Sequence, residues 1–437
     1  MVLQELPPEV IENILTYLTP IDILRTSWCC KTLQSIANNE QVWVKCALRE
    51  YSVDLRNSIR RLTDDKYSDN QSTCTSARIF TIKILMHFGS YFKELWQLES
   101  HKYYGGLAKL LYHDWCVYLV VLDPPPHPHT EERLQPDILC RIYLNKDEES
   151  IFETYFSNQK QQIGHGIPLQ ILHSELNAKM VSTWKPLSYE FMRNYLNETY
   201  LAIFRKRFGL PYLDLAAERL FHRNEFLNSK QQHFTTFKPS NTVIPPFHPI
   251  RPGLFKGTYS AHGIELINLS YEDDAKTLTG RKVTGDPNVP CDKVSFQAYL
   301  DKAMHLTLDD KNSFDRMKAL MHGYLQDNIR KLPSEKDQSS KPFAYPNDCR
   351  IDASIERDIF KTELWRFQAK CQVSPTGYID PKFIDGNFII FSEDTFGVIF
   401  IDLQSLGIFD RVQEPLCNNS NFADVLQKLP EDVLGQY

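Results

Sequence analysis

Val10, Ile11, Ile14, Leu15 and Leu18 recur at three- and four-residue spacing, which predicts a helix with a broad apolar face near the start of the chain. Pro7 and Pro8 suit its first turn, where a missing backbone N–H costs little. Glu9 and Glu12 sit where negative charge favours the helix dipole. Thr19-Pro20 breaks that helix and opens a second, which carries Ile21, Ile23 and Leu24. A third carries Leu33 and Ile36, and a fourth continues past Trp43 through Arg49. About fifty residues this rich in apolar surface are marginal as an independent fold. A partner or the rest of the chain must cover the excess.

Residues 52–75 are polar and read as a loop or linker. Ile79, Ile82, Leu85, Met86 and Phe92 then resume a helical period. From Leu95 the pattern changes. Trp115 to Leu122 is a continuous apolar run and reads as a buried strand, and Ile138 to Leu144 as the next. Between them the loop Pro124-Pro125-Pro126-His127-Pro128-His129 excludes regular structure. Pro186 to Phe208 is the longest helical candidate, stopped by Gly209. Gly263 to Tyr271 reads as a strand, and Phe314 to Leu332 as a helix ended by Pro333. Residues 334–345 are poor in apolar side chains and read as disordered. Phe388–Phe391 and Phe396–Leu403 read as two strands around a four-residue turn, with Phe396, Val398 and Phe400 sharing one face.

These elements predict an α+β chain. A small helical module covers 1–50, and a polar linker with a connecting helix covers 51–94. A mixed antiparallel β-barrel decorated with helices covers 95–437, with a helical insertion at about 186–230 and a disordered loop at about 333–347. No repeat of 20–50 residues is visible, which argues against solenoids and propellers.

Composition narrows the function. With 42% hydrophobic and 24% charged residues, the chain has the make-up of a soluble globular protein. Its net charge of −6, with no basic stripe interleaved with aromatics, argues against nucleic acid as a partner. No apolar run is long enough to cross a membrane, and no signal peptide is evident. Ten cysteines without regular spacing read as buried thiols of a protein in the cytoplasm and nucleus.

The ordered set Leu6-Pro7-x-Glu9-Val10, Ile14-Leu15-x-Tyr17-Leu18, Pro20-x-Asp22, Cys30-Lys31-x-Leu33, Ile36-Ala37 and Val42-Trp43 resembles an F-box. That module docks a protein onto the Skp1 adaptor of a ubiquitin ligase. The resemblance implies Skp1-binding roles for Leu6, Pro7, Val10, Ile14, Leu15, Leu18, Pro20, Ile23, Leu24, Leu33 and Trp43.

Further blocks resemble the F-box only protein 31 family. They are Leu95-Trp96-Gln97 with Tyr104-Gly105-Gly106-Leu107, Pro124 to His129, and Arg251-Pro252-Gly253-Leu254-Phe255-Lys256-Gly257-Thr258-Tyr259. His262-Gly263-Ile264-Glu265, Lys282-Val283-Thr284-Gly285-Asp286-Pro287-Asn288-Val289-Pro290, Phe396-Gly397 and Arg411-Val412 complete the set. The likeness covers most of residues 1–425. It implies a non-catalytic substrate receptor of an SCF (Skp1–cullin–F-box) ligase, tied through Skp1 to cullin-1 and a RING subunit. It further implies that the barrel binds C-terminal tails of target proteins, D-type cyclins and chains ending in an amide among them. Against the family pattern, the stretch before the F-box is absent, the insert before the last barrel segment is short, and residues 145–230 are the least similar.

Within those blocks Asp286 is the leading candidate. As an acceptor-only carboxylate it could take N–H bonds from a peptide or terminal amide and repel a free carboxylate. It could equally cap its own turn. The Thr284–Asn288 loop would line a pocket at the barrel mouth. Lys256 and Lys282 would pair with acidic residues or a phosphate on a tail, or stay solvated. Trp96, Tyr104 and Tyr259 would wall the pocket, or pack in the core. Gly257, Gly263 and Gly285 would allow turns or close approaches.

No metal-ligand motif accompanies His127 and His129, and no cofactor or nucleophile signature is found. Two other readings stay open: an F-box protein whose barrel binds a small molecule as a sensor outside a cullin ligase, and an enzyme using the barrel cavity.

Overall fold

The computed structural model describes residues 6–62, 74, 76–98, 103–124, 130, 133–145, 147–156, 159–161, 170–172, 175–178, 232–237, 248–259, 262–274, 276–304, 341–343, 345, 349–351 and 362–413. The helices expected at 186–208 and 314–332, the insertion at about 186–230 and most of the loops at 124–129 and 333–347 lie outside them.

The first helices form where the sequence places them. They are α1 (Pro8–Leu15), α2 (Pro20–Ser27), α3 (Lys31–Ala37) and α4 (Glu40–Tyr51). Their caps are local. The Thr19 hydroxyl accepts from Asp22 N–H, Cys30 Sγ from Leu33 N–H, and Asn39 Oδ1 from Gln41 N–H. Trp43 is fully buried, and its indole N–H donates to the Ala37 carbonyl at 2.7 Å. The Arg49 guanidinium donates to the Leu18 and Thr16 carbonyls, tying α4 to the end of α1.

The linker differs from expectation. Its start is helical: α5 (Arg56–Leu62) presents Ser58 and Ile59 inward just after the buried Leu55, and Ser58 Oγ lies 2.7 Å from Tyr112 Oη. Its polar composition hid a short helix anchored by those three positions. Next come α6 (Ala77–Phe80), a π-turn (Thr81–Leu85), α7 (Met86–Phe88) and a 3-10 turn (Gly89–Lys93). The Glu40 carboxylate accepts from Ser76 Oγ at 2.6 Å and from the Ala77 and Arg78 N–H groups, locking α4 to this connecting segment.

The barrel expected from residue 95 begins at Gly253. Residues 95–237 build a separate nine-stranded antiparallel sheet. Its strands are β1 (Leu95–Leu98), β2 (Gly106–His113), β3 (Cys116–Asp123), β4 (Gln135–Leu144), β5 (Ser150–Phe156), β6 (Gln159–Gln161), β7 (Gln170–Leu172), β8 (Glu175–Ala178) and β9 (Gln232–Phe237). They lie in the order β6-β5-β4-β3-β2-β1-β9-β8-β7. Asp114 and Trp115, both at positive φ, make the two-residue turn joining β2 to β3. The apolar run of β3 is explained by burial on two faces. Val117, Leu119 and Val121 join the core beneath the helices, whereas Cys116, Tyr118, Val120 and Leu122 face the barrel.

The barrel itself has eight antiparallel strands: β10 (Gly253–Thr258), β11 (Ile264–Tyr271), β12 (Thr277–Lys282), β13 (Val294–Ala303), β17 (Trp365–Val373), β18 (Lys382–Ser392), β19 (Thr395–Phe400) and β20 (Ser405–Arg411). Pairing of β10 with β20 closes it. Three short strands lie between β13 and β17 in sequence: β14 (Lys341–Pro342), β15 (Arg350–Ile351) and β16 (Thr362–Glu363). The late hairpin turns over two residues, Glu393 and Asp394, not four. Phe396, Val398 and Phe400 face inward as expected, while Ile399 and Ile401 pack outside. Phe255, Phe296, Phe388, Phe396 and Phe409 fill the interior, with the Phe396 and Phe409 rings stacked at 4.6 Å. The outward Leu254, Leu266 and Val283 meet the sheet, so helices, sheet and barrel form three layers.

Candidate functional site

The candidate residues fall in two regions. The first is the outer face of the N-terminal helices. Val10, Ile14 and Tyr17 follow at four and three residues, so they share a stripe, and Ile21 and Trp28 extend the exposed apolar set along α2. Tyr17 is 74% and Trp28 76% exposed. These five account for over half of the nine large apolar side chains exposed among the described residues. Ile11 and Leu15 point the other way into the shared core.

That geometry sorts the residues expected to dock an adaptor. Pro7, Val10 and Ile14 are exposed, and Leu6, Leu18 and Leu24 are half-buried against the core. Leu15, Pro20, Ile23, Leu33 and Trp43 are buried and offer a partner no surface; they fix the helices. Tyr17, Ile21 and Trp28 were not among the expected contacts, although a large apolar residue opposite the core stripe is the signal that finds them.

The second is a buried ionic cluster at one end of the barrel. Glu265 on β11 and Lys282 at the end of β12 are buried, and Lys282 Nζ lies 2.6 Å from Glu265 Oε2. The same ammonium pairs with Asp286 Oδ2. Tyr259 places its ring 4.3 Å from Lys282 Nζ, and its hydroxyl is 2.7 Å from Ser295 Oγ. Burial pushes the Asp286 carboxyl up, but the Lys282 ammonium and His262 outweigh it and hold it well below the usual carboxylate range. Burial pushes Lys282 down, and Glu265 and Asp286 more than offset this, so its pKa is raised. Burial, with the charge of Glu265 beside it, raises the Tyr259 phenol well above its ordinary value.

Asp286 does cap its own turn: Oδ1 accepts from Asn288 N–H at 2.6 Å and Val289 N–H at 2.9 Å. The loop is held from two sides. Gly285 N–H donates to the Tyr104 carbonyl and Cys291 N–H to that of Tyr103. Across it, the Asn288 amide donates to the Ser374 carbonyl, and the Gly377 and Tyr378 N–H groups donate to the Pro287 carbonyl. Beside this contact the β17–β18 hairpin exposes Ile379 and Phe383. A Cβ on Gly285 would lie 2.1 Å from Cys291 N and 2.4 Å from the Pro290 carbonyl carbon. Gly285→Ala is therefore expected to lower stability by about 1–3 kcal/mol or more, read as a drop in the urea midpoint.

The other expected pocket residues divide. Thr284 is buried, its Oγ1 accepting from Leu266 N–H at 2.8 Å, and it bridges to Gly105. Tyr104 is buried beside the loop. Lys256 is buried and stands opposite Asp410 where β10 meets β20; neither it nor Lys282 is a solvated lysine. Trp96 does not reach the barrel. It packs against Tyr91 in the core on the helix side of the sheet, so nearness in sequence to Tyr104 misplaced it. Glu265 and His262 were overlooked; a carboxylate in the inward alternation Glu265, Ile267, Leu269, Tyr271 is the signal for the first. Among the described residues no group of three or more His, Cys, Asp or Glu is placed to hold a metal ion.

Comparison with known proteins assigns both regions to matched segments. An F-box-like family model matches residues 3–49, and a family model described as a cyclin D1 binding domain matches residues 234–415. The chain is 25% identical to F-box only protein 31 of Rattus norvegicus, over 95% of this chain and 86% of that protein. It is 24% identical to the Homo sapiens protein of that name, over 95% and 84%. It is also 24% identical to F-box only protein 31-A of Xenopus laevis, over 94% and 84%.

The chain resembles the F-box only protein 31 proteins along nearly its whole length.

In this chain the F-box-like match ends inside α4, and the second match takes in most of β9 and the whole barrel. The ionic cluster at Lys282 lies inside that second match.

Proposed function

We propose that this F-box protein is a non-catalytic substrate receptor of an SCF-type ubiquitin ligase. Its N-terminal helices bind Skp1, and through it cullin-1 and a RING subunit. Its barrel end binds C-terminal tails of target proteins for degradation, in the cytoplasm and nucleus. The observation that carries this reading is the apolar stripe of Val10, Ile14 and Tyr17 with Ile21 and Trp28. The chain's own core backs it and leaves it uncovered, as a docking face requires. The cyclin D1 binding domain match supports protein substrates. The aromatic filling of the barrel axis speaks against a small molecule held there.

On this reading Asp286, with Lys282 and Glu265, sets from beneath the surface the electrostatic potential felt by the end of a tail. Two carboxylates around one ammonium, with His262 offsetting part of their charge, disfavour a free carboxylate and tolerate an amide. Asp286→Asn keeps an oxygen for the Asn288 and Val289 N–H groups while removing the charge. Tail peptides titrated as amide and as acid against wild type and Asp286→Asn are expected to show the amide preference fall about tenfold. An unchanged ratio would remove Asp286 from recognition.

A further inference from the structure

β20 outlasts the strand that closes the barrel against it. β10 pairs with it only from Phe255 opposite Arg411 to Gly257 opposite Phe409. β10 then ends at Thr258 and turns into β11, with Tyr259 N–H donating to the Gly263 carbonyl at 2.8 Å. The next N–H on β20, that of Ile408, is taken by the Thr258 hydroxyl at 3.1 Å in place of a backbone partner. Gly407 permits this approach, since a Cβ there would stand 2.7 Å from the Thr258 carbonyl oxygen. The edge beyond, at Ser405 and Leu406, is occupied by the chain's own β15, running parallel to β20 with Arg350 against Ser405 and Ile351 against Leu406. Two residue pairs are a minimal strand, and parallel pairing is the weaker kind. The edge also leads to the charged end of the barrel. Ser405 pairs with Phe400, whose ring lies 6.1 Å from that of Tyr259 beneath Lys282.

We propose that the Ser405–Leu406 edge of β20 is a strand-addition site, which an extended segment of the protein substrate takes by displacing β15. The inference rests on the substrate-receptor reading and adds the mode by which the substrate backbone engages. An exposed strand edge accepts any extended chain through main-chain hydrogen bonds, with side chains at alternate positions setting selectivity. β15 holds the edge in the absence of substrate. It lowers apparent affinity by the fraction of molecules in which it stays paired.

The test is calorimetric titration of a synthetic peptide from the cyclin D1 C-terminal tail, and of a series N-methylated at one residue at a time. Strand addition at this short edge is expected to show a loss of about tenfold at the peptide residue whose N–H meets it and little change at the residues on either side. The double variant Arg350→Pro, Ile351→Pro removes the competitor and is expected to bind the parent peptide about threefold tighter or more. N-methylation tolerated throughout the peptide, with an unchanged affinity for the double variant, overturns the inference while the receptor reading stands. A parent peptide that does not bind wild type overturns both. The N-methyl series uses the wild-type chain, so misfolding of the proline variant cannot rescue the idea.

Discussion

Capture of Skp1 should be lost in the double variant Ile14→Asp, Trp28→Asp, with the thermal unfolding transition unmoved. Both side chains are exposed and neither belongs to the core, so charge at these positions costs the fold little. At an interface centre, large apolar anchors contribute about 2 kcal/mol or more each, so losing two should weaken association by on the order of a hundredfold or more. Leu15→Asp and Trp43→Asp should behave differently. These residues are 1% and 0% exposed, so the same substitution buries an unpaired charge and should lower stability along with capture. Surface plasmon resonance against immobilised Skp1, paired with a melting curve for each variant, separates the two classes. Retained capture by the first variant would place the adaptor face elsewhere.

Lys282→Met should be the most damaging single change in the barrel. It leaves Glu265 and Asp286 buried beside each other without their ammonium. Breaking a buried pair from one side costs about 3–5 kcal/mol, because the remaining charge has lost its solvent and its partner. The pH dependence identifies the cause. In wild type Asp286 is held below its ordinary 3.8, so its contribution is present above that value and is lost as pH falls through the depressed folded pKa. Lys282 is raised above 10.5, so its contribution is complete below 10.5 and is lost as pH rises through the folded value. Between these limits the contributions of Asp286 and Lys282 do not change with pH. In Lys282→Met the carboxylates prefer protonation, so stability should rise as pH is lowered from neutral. Urea midpoints at several pH values measure this. A variant that weakens further on mild acidification would show that the carboxylates are not the source of the instability.

The helical module was legible in the sequence because its apolar residues recur locally and its caps lie within three residues of the positions they serve. The inward face of β19 was legible too, since Phe396, Val398 and Phe400 alternate with residues that pack outside. The division into sheet and barrel was not. Alternation tells which residues share a face of a strand, but nothing about which distant strand lies beside it. Closure depends on β10 meeting β20 across more than a hundred residues. The same limit explains the site. Thr284, Asp286 and Lys282 were found because they are neighbours in the chain, and Glu265 was missed because pairing across strands brings it there. Trp96 was misplaced because two faces of one sheet lead to two different cores.

The core shared by the N-terminal helices and the sheet has a consequence for ubiquitin transfer. Trp43, Phe80 and Trp96 belong to one apolar body. Gly105 and Tyr104 in turn join the sheet to the Asp286 loop. In a ligase of the proposed kind this continuous packing would hold the cargo site at a fixed place relative to the adaptor face. Such a receptor would act as a fixed strut, and the acceptor lysines it could present would be those lying at one set distance and bearing from the bound tail. Cargo choice is then made twice, once by the chain end that fits and once by where its lysines fall.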